Sequence, residues 1–509
     1  MKWTRLVFLL AVAFGCTSWP ARANLAKPSL VLQGDITHAQ NQTYVRVPFA
    51  VPSGVFRLTV TFGYTGKEQG TRLDLGIFDP NRFRGASGGN KSTFTISETD
   101  ATPSYLPGPI PAGQWYLLIA VPNIRPDVVS HYTADVWFET KPEIQSFTDG
   151  PLRNGPAWFR GDLHMHTGHS DGTCPSETGK SVPCPVFVTA EAAMRRGLDF
   201  IAITDHNTIS QYDAIRELQP YFDTLLFIPG REITTFWGHA NAYGITRFVD
   251  YRVGAPGVPD INTVAREVNR LGGMISINHP NDPTGEDCLG CGWTPNPPAD
   301  LHLFSAIEAV NGGALRGPYS GVSFWEKQLE NGYRIPAIGG SDNHHPAWPI
   351  DHPDSVGLPT TVVYAQNLSV PAILDGIRAG HVFIDLTGSR NRMLEMTAAV
   401  PGQPAAMMGD TLRAPSGVAV QVTVQVVGCS GWMLKMSDDD HDNPAFPVRT
   451  ISQPEETLHF TWRSDGKSHW LLPQIQTDEE KLEVLGNPVY VNYSGKGKED
   501  QAAPSTLGK

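Results

Sequence analysis

The sequence predicts an α/β centre, a mainly parallel sheet or barrel of βα units, with a β-region on either side. Two observations carry that expectation. From Arg160 to about Asp385, short apolar runs alternate with amphipathic stretches of helical period, the pattern of strand–helix repeats. Before and after that span, short β-branched or aromatic runs are separated by Gly, Pro and Asn, which is sandwich-like spacing. At 509 residues the chain exceeds one ordinary core, so several domains are expected. Its 50 Gly and 42 Pro favour many turns over long helical rods.

The first 23 residues read as an export signal. Lys2 and Arg5 make a positive start, Leu6 to Gly15 is apolar, and Ala21-Arg22-Ala23 is a small-x-small cleavage site. Ten apolar residues are too few for a membrane span, which needs about 20. Cys16 leaves lipid attachment as an alternative, although Ala13-Phe14-Gly15 before it is a poor lipoprotein signal. No later segment reads as transmembrane, so the mature chain is expected in the periplasm or outside the cell. Cleavage removes Lys2, Arg5 and Arg22 and no acid, shifting the net charge from −12 to −15. A chain this acidic has no electrostatic footprint for nucleic acid.

Residues 24–150 are expected to form an N-terminal β-sandwich, with strands such as Tyr44–Phe49, Phe56–Phe62, Arg72–Phe78, Trp115–Ala120 and Tyr132–Phe138. Residues 151–392 form the α/β unit. Its strands include Phe200–Thr204, Leu225–Ile228, Met274–Asn278, Ala306–Val310 and Pro336–Ile338. Its helices include Ala190–Arg196, Ile261–Leu271, Ser323–Glu330 and Val370–Ala379. Residues 393–493 read as a second small sandwich with Val418–Val427 its clearest strand, and 494–509 as a disordered tail. Five cysteines remain after cleavage. Cys174–Cys184 and Cys288–Cys291 suit short disulfides in an oxidising compartment, leaving Cys429 free; the Cys-x-x-Cys pair could instead bind metal or do redox chemistry.

The chemistry lies at the strand ends. One strand ends near Leu163, before His164, His166 and Asp171; the Phe200 strand runs into Asp205-His206; the Leu225 strand leads to Glu232. Met274–Asn278 is followed by His279, and Pro336–Ile338 by Asp342 and His344. A lone His is more often a hydrogen-bonded structural residue than a ligand. His-x-His on a strand, however, puts both rings on one side, and five strands delivering ligand-type residues to one edge point to a metal centre.

The ordered motifs GDLHMHTGHSDG, ITDHNT, GREIT, GHANAYG, INHP and GSDNHH resemble the PHP (polymerase and histidinol phosphatase) metal-dependent hydrolases, within them the secreted branch named after carbaryl hydrolases. The resemblance covers about residues 155–390. It implies a distorted (β/α)7 barrel between the N-terminal sandwich and the small C-terminal β-domain, with two to three divalent metals. By motif, His164, His166, Glu232 and Asp342 would hold the first metal. Glu232, bridging, would hold the second with His239 and His279, and Asp171, His206 and His344 the third. Many relatives carry His where this chain has Asp171, and the nearby His169 competes for that role.

Mixed imidazole and carboxylate donors suit Zn, Mn or Fe rather than Ca. A bridging carboxylate allows two cations to share a hydroxide that attacks phosphorus or a carbonyl carbon. Glu232 is thus one expected catalytic residue. Asp205 is the other, orienting a ligand imidazole or passing a proton, unless it merely caps a turn. Glu308 could face the site or help close the barrel, and the second is preferred. No Gly-x-Ser-x-Gly elbow or Walker-type loop occurs.

The expected activity is hydrolysis of a small or exposed organic phosphoester. The alternative is an aryl carbamate, carboxylic ester or amide at the same centre, and a third reading is a metal-stabilised binding protein without catalysis. A phosphate site calls for basic residues at the mouth, where Arg160, Lys180, Arg231 and Arg316 are the few candidates. An apolar pocket from Phe236, Trp237, Trp293, Trp325 and Trp348 would favour an aromatic substrate; those residues could equally pack the interior.

Overall fold

Along Gly113–Asn123, Trp115, Leu117, Ile119 and Val121 point inward while their neighbours are more exposed, the period of two that buries one face of a sheet. They share a core with Leu58, Val60, Phe62 and Val136. The computed structural model describes residues 27–493 apart from 287 and 440; the expected leader and tail lie outside the described residues. Two four-stranded antiparallel sheets enclose this core. One orders Leu30–Ile36, Ser130–Glu139, Arg57–Tyr64 and Thr93–Ser97, and the other Tyr44–Val51, Gly113–Asn123, Arg72–Phe78 and Phe83–Ser87. Arg57 reaches from this sandwich to buried Asp100 (3.1 Å), which also binds Arg216 (2.7 Å) on helix α2, Gln211–Leu218.

The centre of the chain corrects the expected fold. The protein is mostly β, and among the described residues it has five α-helices, not the complement of a (β/α)7 barrel with flanking domains. A single 16-stranded mixed sheet runs in the order Ala337–Gly340, Ala306–Asn311, Met274–Ile277, Gly238–Tyr243, Leu226–Thr235, Phe200–Ile203, Arg153–Asp162, Thr360–Leu368 and Val382–Asp385, then into C-terminal strands beginning with Leu482–Gly486.

Two features produce the departure. A βα unit needs a helical crossover, but only Phe236-Trp237 separate Leu226–Thr235 from Gly238–Tyr243, so the chain returns as an antiparallel hairpin. Gly238 closes that turn at φ 151°, a conformation reserved in practice for glycine. The second is the antiparallel pairing of Thr360–Leu368 with both Arg153–Asp162 and Val382–Asp385. Phe383 to Asp385 then hydrogen-bonds Val484 to Gly486. The expected separate C-terminal sandwich is therefore partly a continuation of the central sheet. Its other sheet (Ala406–Met407, Met393–Ala399, Ala419–Val427, Glu455–Arg463) closes over a core that includes Val362 and Phe383 from the centre.

The other helices are α1, Val186–Arg196; α3, Ile261–Arg270; α4, Val322–Glu330; and α5, Val370–Ala379. Their starts follow local chemistry: Asp260 accepts from Thr263 N at 2.8 Å, and Ser369 from Ala372 N at 3.3 Å. α3 buries Ile261, Val264, Ala265 and Val268 against the sheet core. Among the described residues no helix is long and apolar enough to cross a membrane.

Candidate metal centre

Local backbone geometry gathers the ionisable residues. His164 and His166 follow the end of Arg153–Asp162, and His206 follows Phe200–Ile203. Glu232 sits inside the long strand Leu226–Thr235, rather than after it, and His239 on its hairpin partner opposite Thr234. His279 and Asp342 leave their strands with φ of 24° and 51°, uncommon for residues other than glycine. Such strain clusters where a structure holds side chains for function.

Glu232 is the hub. Its carboxylate lies within 3.6 Å of five imidazoles: His206 (2.7 Å), His239 (3.3 Å), His164 and His279 (3.4 Å each), and His166 (3.6 Å). Asp342 Oδ1 lies 3.2 Å from His164 Nε2 and 3.0 Å from His166 Nε2. Further out, Asp171 is 3.4 Å from His344 Nε2 and 3.7 Å from His206 Nε2. Three groups of donors thus converge within 4.8 Å: His164, Glu232 and His279; His164, His166 and Asp342; and His166, Asp171, His206 and His344. His239 stands beside the first group through Glu232 without joining it. His169 turns away, its Nδ1 2.8 Å from Ser210 Oγ.

The residues fit cations. His164 Nε2, Glu232 Oε2 and His239 Nε2 are buried without an aligned hydrogen-bond partner, an arrangement costly unless something else satisfies them. Burial, with His206 and His344 nearby, pushes His166 down to about 4, so its ring is a neutral donor. Burial opposes protonation of His279 and His344 too, but Glu232 at the first and Asp171 at the second outweigh it and raise both to about 9. The carboxylate field is strong enough to draw in positive charge, which divalent cations would supply in place of protons.

A supporting layer holds the donors, and much of it has no local sequence signal. Glu308 does not merely close the sheet: its carboxylate is 3.0 Å from His164 Nδ1 and accepts from His279 N at 3.0 Å. Asp162 is fully buried and accepts from His164 N (3.2 Å), Ser341 N (2.9 Å) and Gly357 N (2.7 Å), tying the His-x-His and Asp342 segments together. Asn278 donates to Glu232 (3.0 Å), and Thr234 Oγ1 lies 2.6 Å from His206 Nδ1. Asp205 is buried and accepts from Thr167 N, Thr167 Oγ1 and Ser170 Oγ at 2.7–2.8 Å. It braces the loop leading to Asp171 rather than holding an imidazole. The disulfide Cys174–Cys184 fastens the other side of that loop; Cys288 pairs with Cys291, and Cys429 is free and buried.

No protein-family model matches this chain, and no curated protein is similar to it.

Of the basic residues named from sequence, Arg160 and Arg316 are paired with acids, while Arg231 is buried with its guanidinium nitrogens unpartnered and Lys180 is exposed. Arg160 pairs with Asp385 (3.4 Å), Arg316 with Glu483 (2.6 Å), and Arg231 lies buried against Phe248, alternating along its strand with Glu232. Lys180 is exposed in a turn between two short strands. The aromatic set is not one pocket either: Trp325 is core, donating to Ile335 O, Trp293 packs on Phe304, and Trp348 lies on His345 and His352. Phe236 instead lines a cleft of about 420 Å³ with Asn207, Thr234, Tyr251 and Leu289, adjoining His206 through Thr234.

Proposed function

We propose that this chain is a metal-dependent hydrolase of phosphoesters, the activity its resemblance to the PHP hydrolases implies. One observation carries the reading: a buried carboxylate, Glu232, within 3.6 Å of five imidazoles, with Asp342 and Asp171 completing the donor groups. His164, His166, Glu232, His239, His279 and Asp342 would hold the inner cations, and Asp171, His206 and His344 an outer one, with Zn, Mn or Fe suited to this donor mix. Two or three such dications, outweighing the three carboxylates, would supply a water of lowered pKa and a positive field for a phosphoryl oxygen.

The protein residues set the rest. His164, His166, Glu232 and His279 are buried, whereas side chains of Asp171, His206 and His344 are 58, 27 and 30% exposed, so substrate enters from their side. The cleft of Phe236, Tyr251 and Leu289 takes the organic part of the substrate beside His206. Glu308, Asp162 and Asp205 are positioning residues: they hold donor rings and loops and do not touch substrate. The two disulfides suit an oxidising compartment and support export, periplasmic or extracellular.

The apolar cleft, and the pairing of Arg160 and Arg316 with acids, favour a second reading, hydrolysis of an aryl carbamate, carboxylic ester or amide at the same centre. Paired assays on one metal-loaded sample separate them. Turnover of p-nitrophenyl phosphate esters, lost in Glu232→Ala, supports the phosphoesterase. Turnover of a naphthyl carbamate or ester alone moves the assignment to the second reading, and no metal-dependent turnover of either overturns both.

A further inference from the structure

We infer a separate divalent-metal site in the C-terminal part of the sheet, built from Asp438, Asp439 and His469. His469 Nδ1 lies 2.8 Å from Asp438 Oδ1 and 2.8 Å from Asp439 Oδ2. The three donor atoms form a mutually close group, far along the chain from the centre described above.

The other polar atom of each residue is already held. Asp438 Oδ2 accepts from Asn443 Nδ2 (2.9 Å), and Asp439 Oδ1 accepts from Trp470 N (2.8 Å). His469 Nε2 lies 3.0 Å from Asp465 Oδ1. What converges is therefore the remaining atom of each side chain. That is the arrangement of a metal-ligating imidazole whose far N–H is fixed by an outer carboxylate.

Hydrogen bonding alone does not account for the convergence. Asp438 is 8% exposed, and its Oδ1, like His469 Nδ1, is buried without an aligned hydrogen-bond partner. One Nδ1 proton can align with only one of two carboxylate oxygens, and the other is left an unpaired anion at close range: Asp439, partly exposed, or the buried Asp438, for which that is costly. A dication satisfies all three atoms at once. The backbone conformation brings the two acids together. Neighbouring residues on a strand point to opposite faces, but Asp439 follows the end of Met433–Asp438 at φ 50°, and both carboxylates meet His469.

One imidazole with two carboxylates suits zinc or manganese and not calcium, which takes oxygen alone. Three protein donors leave a coordination position open. Asp439 also lines a cleft of about 470 Å³ with His441, Ser468 and Glu330, which gives a cation entry and room for water. Because Glu330 ends α4, the site stands where that helix meets the C-terminal strands.

The test is zinc content and zinc-dependent melting of the full chain, comparing wild type with Asp438→Asn and His469→Gln. After loading with Zn²⁺ and desalting, each variant should hold one equivalent less than wild type. A Glu232→Gln chain should still melt higher with Zn²⁺, and that shift should shrink, with one equivalent less bound, when Asp438→Asn is added. If either variant fails to fold, Asp439→Asn, at a more exposed carboxylate, should show the same loss of one equivalent. Unchanged zinc content in folded variants would overturn the site and leave an imidazole hydrogen-bonded among acids.

Discussion

Glu308 grips His164 and His279 together: one carboxylate lies 3.0 Å from His164 Nδ1 and accepts the backbone N–H of His279 at 3.0 Å. This fixes which ring nitrogen of His164 faces Glu232 and Asp342. Outer partners of this kind typically cost 10–100-fold in metal affinity when lost. Glu308→Gln should therefore fold and weaken metal binding by about that range, read by competition with a chelator.

Gly340 stands where that grip leaves no room. A Cβ there would meet His164 Cβ and the Glu308 carboxylate. Overpacking typically costs about 1–3 kcal/mol, and here the displaced groups are a donor and its brace. Gly340→Ala should lower both melting temperature and metal content, whereas a surface glycine such as Gly417, whose added Cβ meets nothing, should leave metal content unchanged.

The loop leading to Asp171 is held on one side by Asp205 and on the other by Cys174–Cys184. Closing a short loop contributes about 2–4 kcal/mol. A Cys174→Ser, Cys184→Ser chain should lose the cation of the Asp171, His206 and His344 group before the inner ones, seen as about one equivalent less by elemental analysis.

The junction between the sandwich and α2 carries a pH signature. Burial opposes ionisation of Asp100, but Arg57 and Arg216 outweigh it and hold its carboxyl well below the usual range. Its folded pKa is thus below the unfolded value of about 3.9. The stabilisation is full above pH 4 and is lost as pH falls further, through the folded value. Removing one partner of a buried pair costs about 3–5 kcal/mol, so Asp100→Asn should be destabilised by that order at pH 7. In denaturant melts the gap to wild type should narrow below pH 4.

Several donors were legible because they follow a short apolar run: His206, His279 and Asp342 stand at strand ends, whereas His239 came only with the motif resemblance. The hairpin was not legible. Gly238–Tyr243, GHANAY, contains no β-branched residue, and burial of all six residues rather than propensity makes it a strand. That unread hairpin is also why a βα barrel was expected where a mixed sheet formed. Glu308 lies 144 residues from His164, a separation that leaves no local trace, so its grip shows only in three dimensions.

In the proposed function Glu232 gathers the cations that do the chemistry. The most direct measurement is bound metal by elemental analysis, with hydrolysis followed on the same sample, for wild type and Glu232→Gln. Wild type should hold two or three inner and outer equivalents, beyond any at His469, and show metal-dependent turnover; Glu232→Gln should lose at least one equivalent and lose the turnover. Equal metal content in the two, or turnover surviving the substitution, would contradict that role of Glu232.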